Sequence, residues 1–518
     1  MTVAQTSGRT ASGAVANLAA QGIPFVVLIV VTPILLRAMG REQYGALVLF
    51  NLVPQIAGQL DLGLVTAATR GFAQYSARRD GIGAMRLFHE AFVLLVGWGV
   101  LLGLAYLAAH APIARALNLD AVVGDGTAIW IASAFAMPIA LANSATLIPL
   151  KALERYGQAA GIQVTAGVVY WAAAATLATH GVSLTSLVLL GTATVAATTV
   201  ALFVAGRDVP SETSPGTDVD ERSAATLRSG LRSGLLLRPF IPQGLGAFVA
   251  QSSSLATYHA DKLLVSALVS PAAAGAYAIC VSVANKILLV VAAGATFTFP
   301  RSTRLQAEGD VAAIAATFDR ATRLSMVVAV AIAAPLVALA PAFLAIWVGA
   351  SFAQDYGTTL RLLAVGYVFA AASVVASNVA VGIGEVRIPA LFALLGGALT
   401  LVAVTILAPR HGAAGAAAAA ALGMTQALVF NDVIARRLGP AARGASWPLL
   451  WKLLVVATPS VVVAAALASF VTGWWTLLSL GLAAGAIVPS LWFVTFADAD
   501  ERTLLQRLLT RTDAAPHP

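Results

Sequence analysis

Charge is scarce in this chain. Asp, Glu, Lys and Arg make up only 10% of its 518 residues, whereas soluble globular proteins carry roughly a quarter. With 59% hydrophobic residues and a mean hydropathy of +0.86, too little polar surface remains to coat a water-facing exterior. Cysteine is nearly absent as well. The one present, Cys280, excludes an internal disulfide framework, a paired-thiol redox site and a cysteine-based zinc site, and reads as a small apolar side chain within a helix. Catalytic signatures are missing too: no HExxH, P-loop or Gly-x-Ser-x-Gly occurs. The six histidines, His89, His110, His180, His259, His411 and His517, are scattered. Two Asp-x-Asp triplets, Asp218-Val219-Asp220 and Asp498-Ala499-Asp500, sit in short polar segments and read as solvated charge. No enzyme, cofactor or metal site is expected.

What the chain has instead is long apolar runs. Crossing a bilayer takes about 20 apolar residues in a helix. Between polar breaks, such runs fall roughly at 13–37, 43–66, 87–109, 127–150, 159–179, 184–206, 243–268, 275–298, 321–348, 358–383, 389–408, 413–434, 451–471 and 474–497. They are continuous, so helices are expected and barrel strands are not. The fold class is therefore all-α: a polytopic membrane protein of about fourteen transmembrane helices. Met1 to Ser12 is polar, and the Ala14-Val15-Ala16 triplet precedes the first run, which reads as a retained span and not a cleaved signal. Short turns such as Gly40-Arg41-Glu42-Gln43 and Pro409-Arg410-His411-Gly412 join successive spans.

The net charge of +8 has a topological reading. With spans assigned, Arg37, Arg41, Arg115, Arg361 and Arg410 fall on one side of the membrane, and Lys262 and Lys286 within spans. The rest of the 31 Lys and Arg fall on the other side. The positive-inside rule places that basic side, and both termini, in the cytoplasm. Basic loops facing anionic membrane lipids account for the charge, and no nucleic-acid partner is expected.

The chain also repeats itself at an offset of about 230 residues. Gly45 pairs with Gly275, Asp80 with Asp310, Phe88 with Phe318, Pro112 with Pro341, Glu154 with Glu385, and His180-Gly181 with His411-Gly412. One repeat holds an even number of spans, so both copies insert in the same orientation, an arrangement found in transporters. The expected domains are a six-helix lobe over 1–206, a cytoplasmic linker over 207–238, a second six-helix lobe over 239–435, and two added helices with a tail over 436–518. The Val209–Asp218 stretch has the composition of a disordered tether. Ala224–Arg238 is basic and expected at the cytoplasmic membrane surface.

Ionisable groups inside spans are costly and call for a functional reading. Lys286 lies near the middle of its run, facing either a water-filled cavity or a buried carboxylate. Asp261 and Lys262 lie in the outer part of the seventh run. Gln251, Ser254, Tyr258 and Asp261, spaced three or four apart, share a helix face that must turn inward, to a cavity or to another helix. Asn17 and Gln21 occupy the equivalent helix of the first lobe. Asp61, near a span end, is open to a transport role or an interfacial ion pair.

Three segments carry a family resemblance. Leu35-Leu36-Arg37-Ala38-Met39-Gly40-Arg41-Glu42-Gln43-Tyr44-Gly45, followed by Asp61-Leu62-Gly63-Leu64, resembles the start of polysaccharide flippases of the Wzx type. These belong to the multidrug/oligosaccharidyl-lipid/polysaccharide exporter superfamily. Lys151-Ala152-Leu153-Glu154-Arg155-Tyr156 is similar to the family's loop between spans 4 and 5, and Asp261-Lys262-Leu263-Leu264 before Gly275-Ala276-Tyr277 to the opening of its second lobe. The resemblance implies transfer of undecaprenyl-diphosphate-linked oligosaccharide from the inner to the outer leaflet of the bacterial plasma membrane by alternating access. It also implies a cationic cavity, for which Lys286 and Lys262 are the chemical candidates. A groove for the prenyl tail beside the last two spans follows from it, as do a glycan polymerase and glycosyltransferases of the same pathway as partners. Drug-extruding relatives use an acidic residue in span 1, which here has none. A drug/cation antiporter and a membrane enzyme of envelope glycan assembly are the alternatives.

Overall fold

In the computed structural model, residues 3–124, 126–207, 236–241, 244, 248, 259–445 and 447–498 are described, with side chains except those of 3–21, 24, 207, 238 and 443–445. The side chains of Asn17 and Gln21, the residues Gln251, Ser254 and Tyr258, and most of the expected linker lie outside this set.

The fold is all-α, and among the described residues no strand occurs. The helices are α1 (Val3–Gln59), α2 (Leu64–Ala77), α3 (Gly81–Ala108), α4 (His110–Ala116), α5 (Asp120–Val123), α6 (Thr127–Ala152), α7 (Tyr156–Thr179) and α8 (Leu184–Arg207). After the linker come α9 (Ala260–Leu268), α10 (Pro271–Ala295), α11 (Thr298–Ala307), α12 (Val311–Trp347), α13 (Ala350–Gly382), α14 (Arg387–Met424), α15 (Gln426–Leu438), α16 (Trp447–Ala466) and α17 (Trp474–Thr495). Ten helical stretches among the described residues are long and apolar enough to cross a membrane. Two helices hold two expected spans each. α1 breaks at Gly40 (φ 80°) and α14 at Gly412 (φ 58°), both in turns expected from the sequence. Apolar side chains such as Leu101, Leu104 and Leu482 point outward, as lipid requires.

The repeat is written into the backbone. Left-handed residues recur at the same offset: Arg79 (φ 58°) with Gly309 (φ 74°), and Glu154 (φ 58°) with Gly384 (φ 88°), so the backbone sets Glu154 against Gly384 and not against Glu385. The two paired aspartates do the same job. Asp80 accepts the Gly83 N–H at 2.8 Å at the start of α3, and Asp310 the Ala313 N–H at 2.9 Å at the start of α12, so each caps orphan donors of its helix. Gly45 and Gly275, also paired by the repeat, touch each other. A Cβ on Gly45 would lie 1.9 Å from the Pro271 carbonyl oxygen, and one on Gly275 would lie 2.7 Å from the Gly45 Cα.

The chain divides into two compact units, one of residues 1–278 with 404–413, the other of 279–403 with 414–518. In the first, Leu87, Phe88, Ala91 and Leu95 of α3 pack on Leu141, Ala145 and Ile148 of α6, with Phe72 of α2 and Leu237 closing the cluster. Small residues let these helices approach closely: a Cβ on Gly103 would lie 2.7 Å from the Ala134 carbonyl oxygen. Leu236 and Leu237, at the end of the expected linker, donate their backbone N–H groups to the Glu90 carboxylate at 2.9 and 3.4 Å. Leu237 is fully buried, so this end of the basic stretch is anchored in the helical core. Glu90→Ala should release that anchor. Limited proteolysis should then cut near Leu236 at least several times faster than in the parent, and equal rates would show that the two N–H bonds contribute nothing to docking.

In the second unit α12 packs along α13 and receives α16 and α17. Ser460 of α16 donates to the Ala484 carbonyl of α17 at 2.6 Å. Arg323 of α12 pairs with Asp319 one turn earlier, at 3.3 Å, and with Asp498 just beyond α17. Asp498 is exposed, as read from the sequence, and it also ties the last helix to α12.

Candidate functional site

Within the first unit, the second half of α1 together with α6, α7 and α8 lines an open cavity of about 560 Å³, in the range of small-molecule sites. The helices cannot close it because their facing positions are polar or small. Asn51, Gln55 and Gln59 recur every four residues along α1 and so share one face. Asn143 and Ser144 come from α6, Gln163, Tyr170 and Trp171 from α7, and Thr192, Thr194 and Thr198 from α8. Phe50, Ala136, Ala140 and Val188 supply the apolar part of the wall.

The polar groups are held in place. Asn51 Nδ2 donates to the Tyr170 hydroxyl at 2.8 Å, and Asn143 Nδ2 to Thr199 Oγ1 at 3.3 Å. Ser144 reaches the Gly58 carbonyl at 3.3 Å. Gln59 meets His259 at 3.0 Å. Thr192, Thr194 and Thr198 donate to carbonyls one turn back at 3.1, 2.8 and 2.7 Å, which leaves their oxygens as acceptors. Tyr170 and Trp171 stand edge to face at 5.0 Å. The described lining carries no Asp, Glu, Lys, Arg or His. It can bind and orient a neutral polar solute. Among the described residues no group of three or more His, Cys, Asp or Glu is placed to hold a metal ion.

The described residues singled out from the sequence lie elsewhere. Asp61, buried between α1 and α2, accepts the Gly63 N–H at 2.8 Å, where Gly63 turns left-handed (φ 74°) to start α2. Asp261 is buried at the start of α9. It accepts the Tyr277 hydroxyl at 2.8 Å and pairs with Lys262 Nζ at 3.3 Å. The structure thus gathers Asp261, Lys262 and Tyr277 into one cluster in the first unit. Lys286 is partly buried on α10 in the second.

No protein-family profile and no curated protein sequence matches the chain. Solved structures do. A lipid II flippase, MurJ, in its inward closed conformation has a TM-score of 0.64 at 10% identity, over 92% of this chain and 98% of that one. An inward-facing multidrug-resistance MATE-family transporter of the MOP superfamily has a TM-score of 0.56 at 16% identity, over 82% and 98%. An outward-facing multidrug-resistance MATE-family transporter of the MOP superfamily has a TM-score of 0.50 at 16% identity, over 82% and 95%. The chain has the fold of these multi-pass membrane transporters.

Proposed function

We propose that this protein is a flippase carrying undecaprenyl-diphosphate-linked oligosaccharide from the inner to the outer leaflet of the bacterial plasma membrane, with both termini cytoplasmic. The carrying observation is the cavity among α1, α6, α7 and α8. Its described lining is polar, aromatic and without charge, which suits the hydroxyls of a glycan. Likeness to a lipid II flippase supports the fold required. The likeness to a MATE transporter keeps a drug/cation antiporter as the second reading. Against it stand the absence of any acidic residue from both the first apolar run and the described lining, since a cation inside low-dielectric protein needs a counter-charge. Glycosyltransferases and a glycan polymerase of the same pathway are the expected partners.

In this reading Lys286, a cation within α10, attracts the diphosphate. Lys286→Ala should insert normally and transport poorly, losing on the order of 1–3 kcal/mol of attraction. Lys286→Arg should keep part of the activity, because charge survives while geometry changes. Leaflet-resolved quantification of undecaprenyl-linked oligosaccharide is the measurement. Normal export in the alanine variant removes Lys286 from the mechanism, and normal export after gene deletion, in a strain without a second flippase, removes the functional assignment. Topology is checked by reporter fusions, expected to read cytoplasmic after Ser214 and Arg443 and periplasmic after Asp120. Opposite readings at two of these sites would overturn the orientation.

A further inference from the structure

We infer that the cavity of the first unit is a subsite for neutral sugar, and that it rejects acidic sugar from the carried glycan. This deepens the flippase reading and rests on it. A pyranose ring presents hydroxyls around its rim and carbon-bound hydrogens on its faces. The cavity offers a partner for each. Gln55 and Gln163 line it without a hydrogen bond to protein among the described residues, so each side-chain amide has a donor and an acceptor to give. Asn51 is fixed by its bond to Tyr170, and Gly191 leaves room beside it: a Cβ there would lie 3.0 Å from Asn51 Oδ1. The threonine oxygens of α8 accept. Trp171, partly buried and braced by Tyr170, supplies an aromatic face for ring hydrogens.

The same wall selects against charge. A uronate carboxylate held against this wall gives up part of its water and meets no cation in the described lining, so that part of its desolvation goes uncompensated. A cationic drug meets the same penalty with the sign reversed. The carried glycan therefore places an uncharged residue here, and its phosphate groups stay outside.

The test is equilibrium binding to the full-length protein in lipid nanodiscs. The probes are a short-chain prenyl diphosphate bearing a neutral galactose–N-acetylglucosamine disaccharide, the same compound ending in a uronic acid, and the bare prenyl diphosphate. The neutral probe should bind at least tenfold tighter than the acidic one. Gln163→Leu should weaken the neutral probe several-fold and leave the bare diphosphate unchanged. Gln163→Arg should reverse the preference by supplying the missing cation. Gln163 is exposed on α7, so neither variant threatens the fold, and thermal unfolding checks this. Equal affinity for neutral and acidic probes, or indifference to both Gln163 variants, overturns the subsite while leaving the flippase reading in place. Failure of all three probes to bind overturns both.

Discussion

Gly45→Ala should destabilise the protein by about 3 kcal/mol, at the upper end of what overpacking costs in a close-packed interior. The added methyl carbon would fall 1.9 Å from the Pro271 carbonyl oxygen and 2.4 Å from its carbon. Both are backbone atoms, so no side-chain rotation relieves the overlap, and α1 and α10 must move apart. Gly275→Ala meets the Gly45 Cα at 2.7 Å and should cost somewhat less. Gly97 of α3 provides the control, since nothing lies within 4 Å of its added Cβ. Thermal unfolding in detergent should separate Gly45→Ala clearly from the parent, whereas Gly97→Ala should match the parent or exceed it slightly, alanine being the better helix former. If Gly45→Ala and Gly97→Ala unfold together, the two glycines do not meet in the folded protein.

Arg323→Ala should cost about 2–4 kcal/mol, because it strands a carboxylate that has little access to water. The Arg323 and Asp319 side chains are each only 13% exposed, while Asp498 is 56% exposed. The asymmetry orders the variants. Asp498→Asn should be mild, since that partner is mostly solvated, and Arg323→Ala severe. The double variant Arg323→Ala with Asp319→Ala should recover part of the loss by removing the carboxylate that Arg323 no longer meets. A cycle of thermal unfolding measurements over the four proteins reads this directly. Additive effects would place the two groups outside any shared network. Release of α17 from α12 should also expose the chain near Asp498 to protease.

The helices were legible because lipid imposes a long apolar run on every span, and the turns at Gly40 and Gly412 because glycine marks a left-handed residue. The repeat was only partly legible. Asp80 and Asp310 match in type and function alike, but the two left-handed pairs set Arg79 and Glu154 against glycine. Comparing letters hides a conformation that both copies share. The cavity left a signal that went unread, the four-residue spacing of Asn51, Gln55 and Gln59. Charge is the louder signal, because charge in lipid is costly. Yet Asp61 and Asp261 proved to be buried groups serving neighbouring backbone and side chains. Cavities follow from which helices face one another, and short neutral polar residues on four separate helices converge only once those helices are packed. Tyr277 is the partner of Asp261 for the same reason: sixteen residues apart, the two meet through a change of chain direction.

The left-handed pairs also make each half of the chain an engineering template for the other. A non-glycine residue in this conformation costs roughly 1–2 kcal/mol, although asparagine tolerates it better than arginine or glutamate. The second half avoids that cost at Gly309 and Gly384, where the first half retains Arg79 and Glu154. Copying glycine across, as Arg79→Gly or Glu154→Gly, trades a strained backbone for a relaxed one at sites far from the cavity wall. A protein hardened for detergent extraction can thus be designed from its own sequence, with one repeat showing which backbone positions the other has left unimproved.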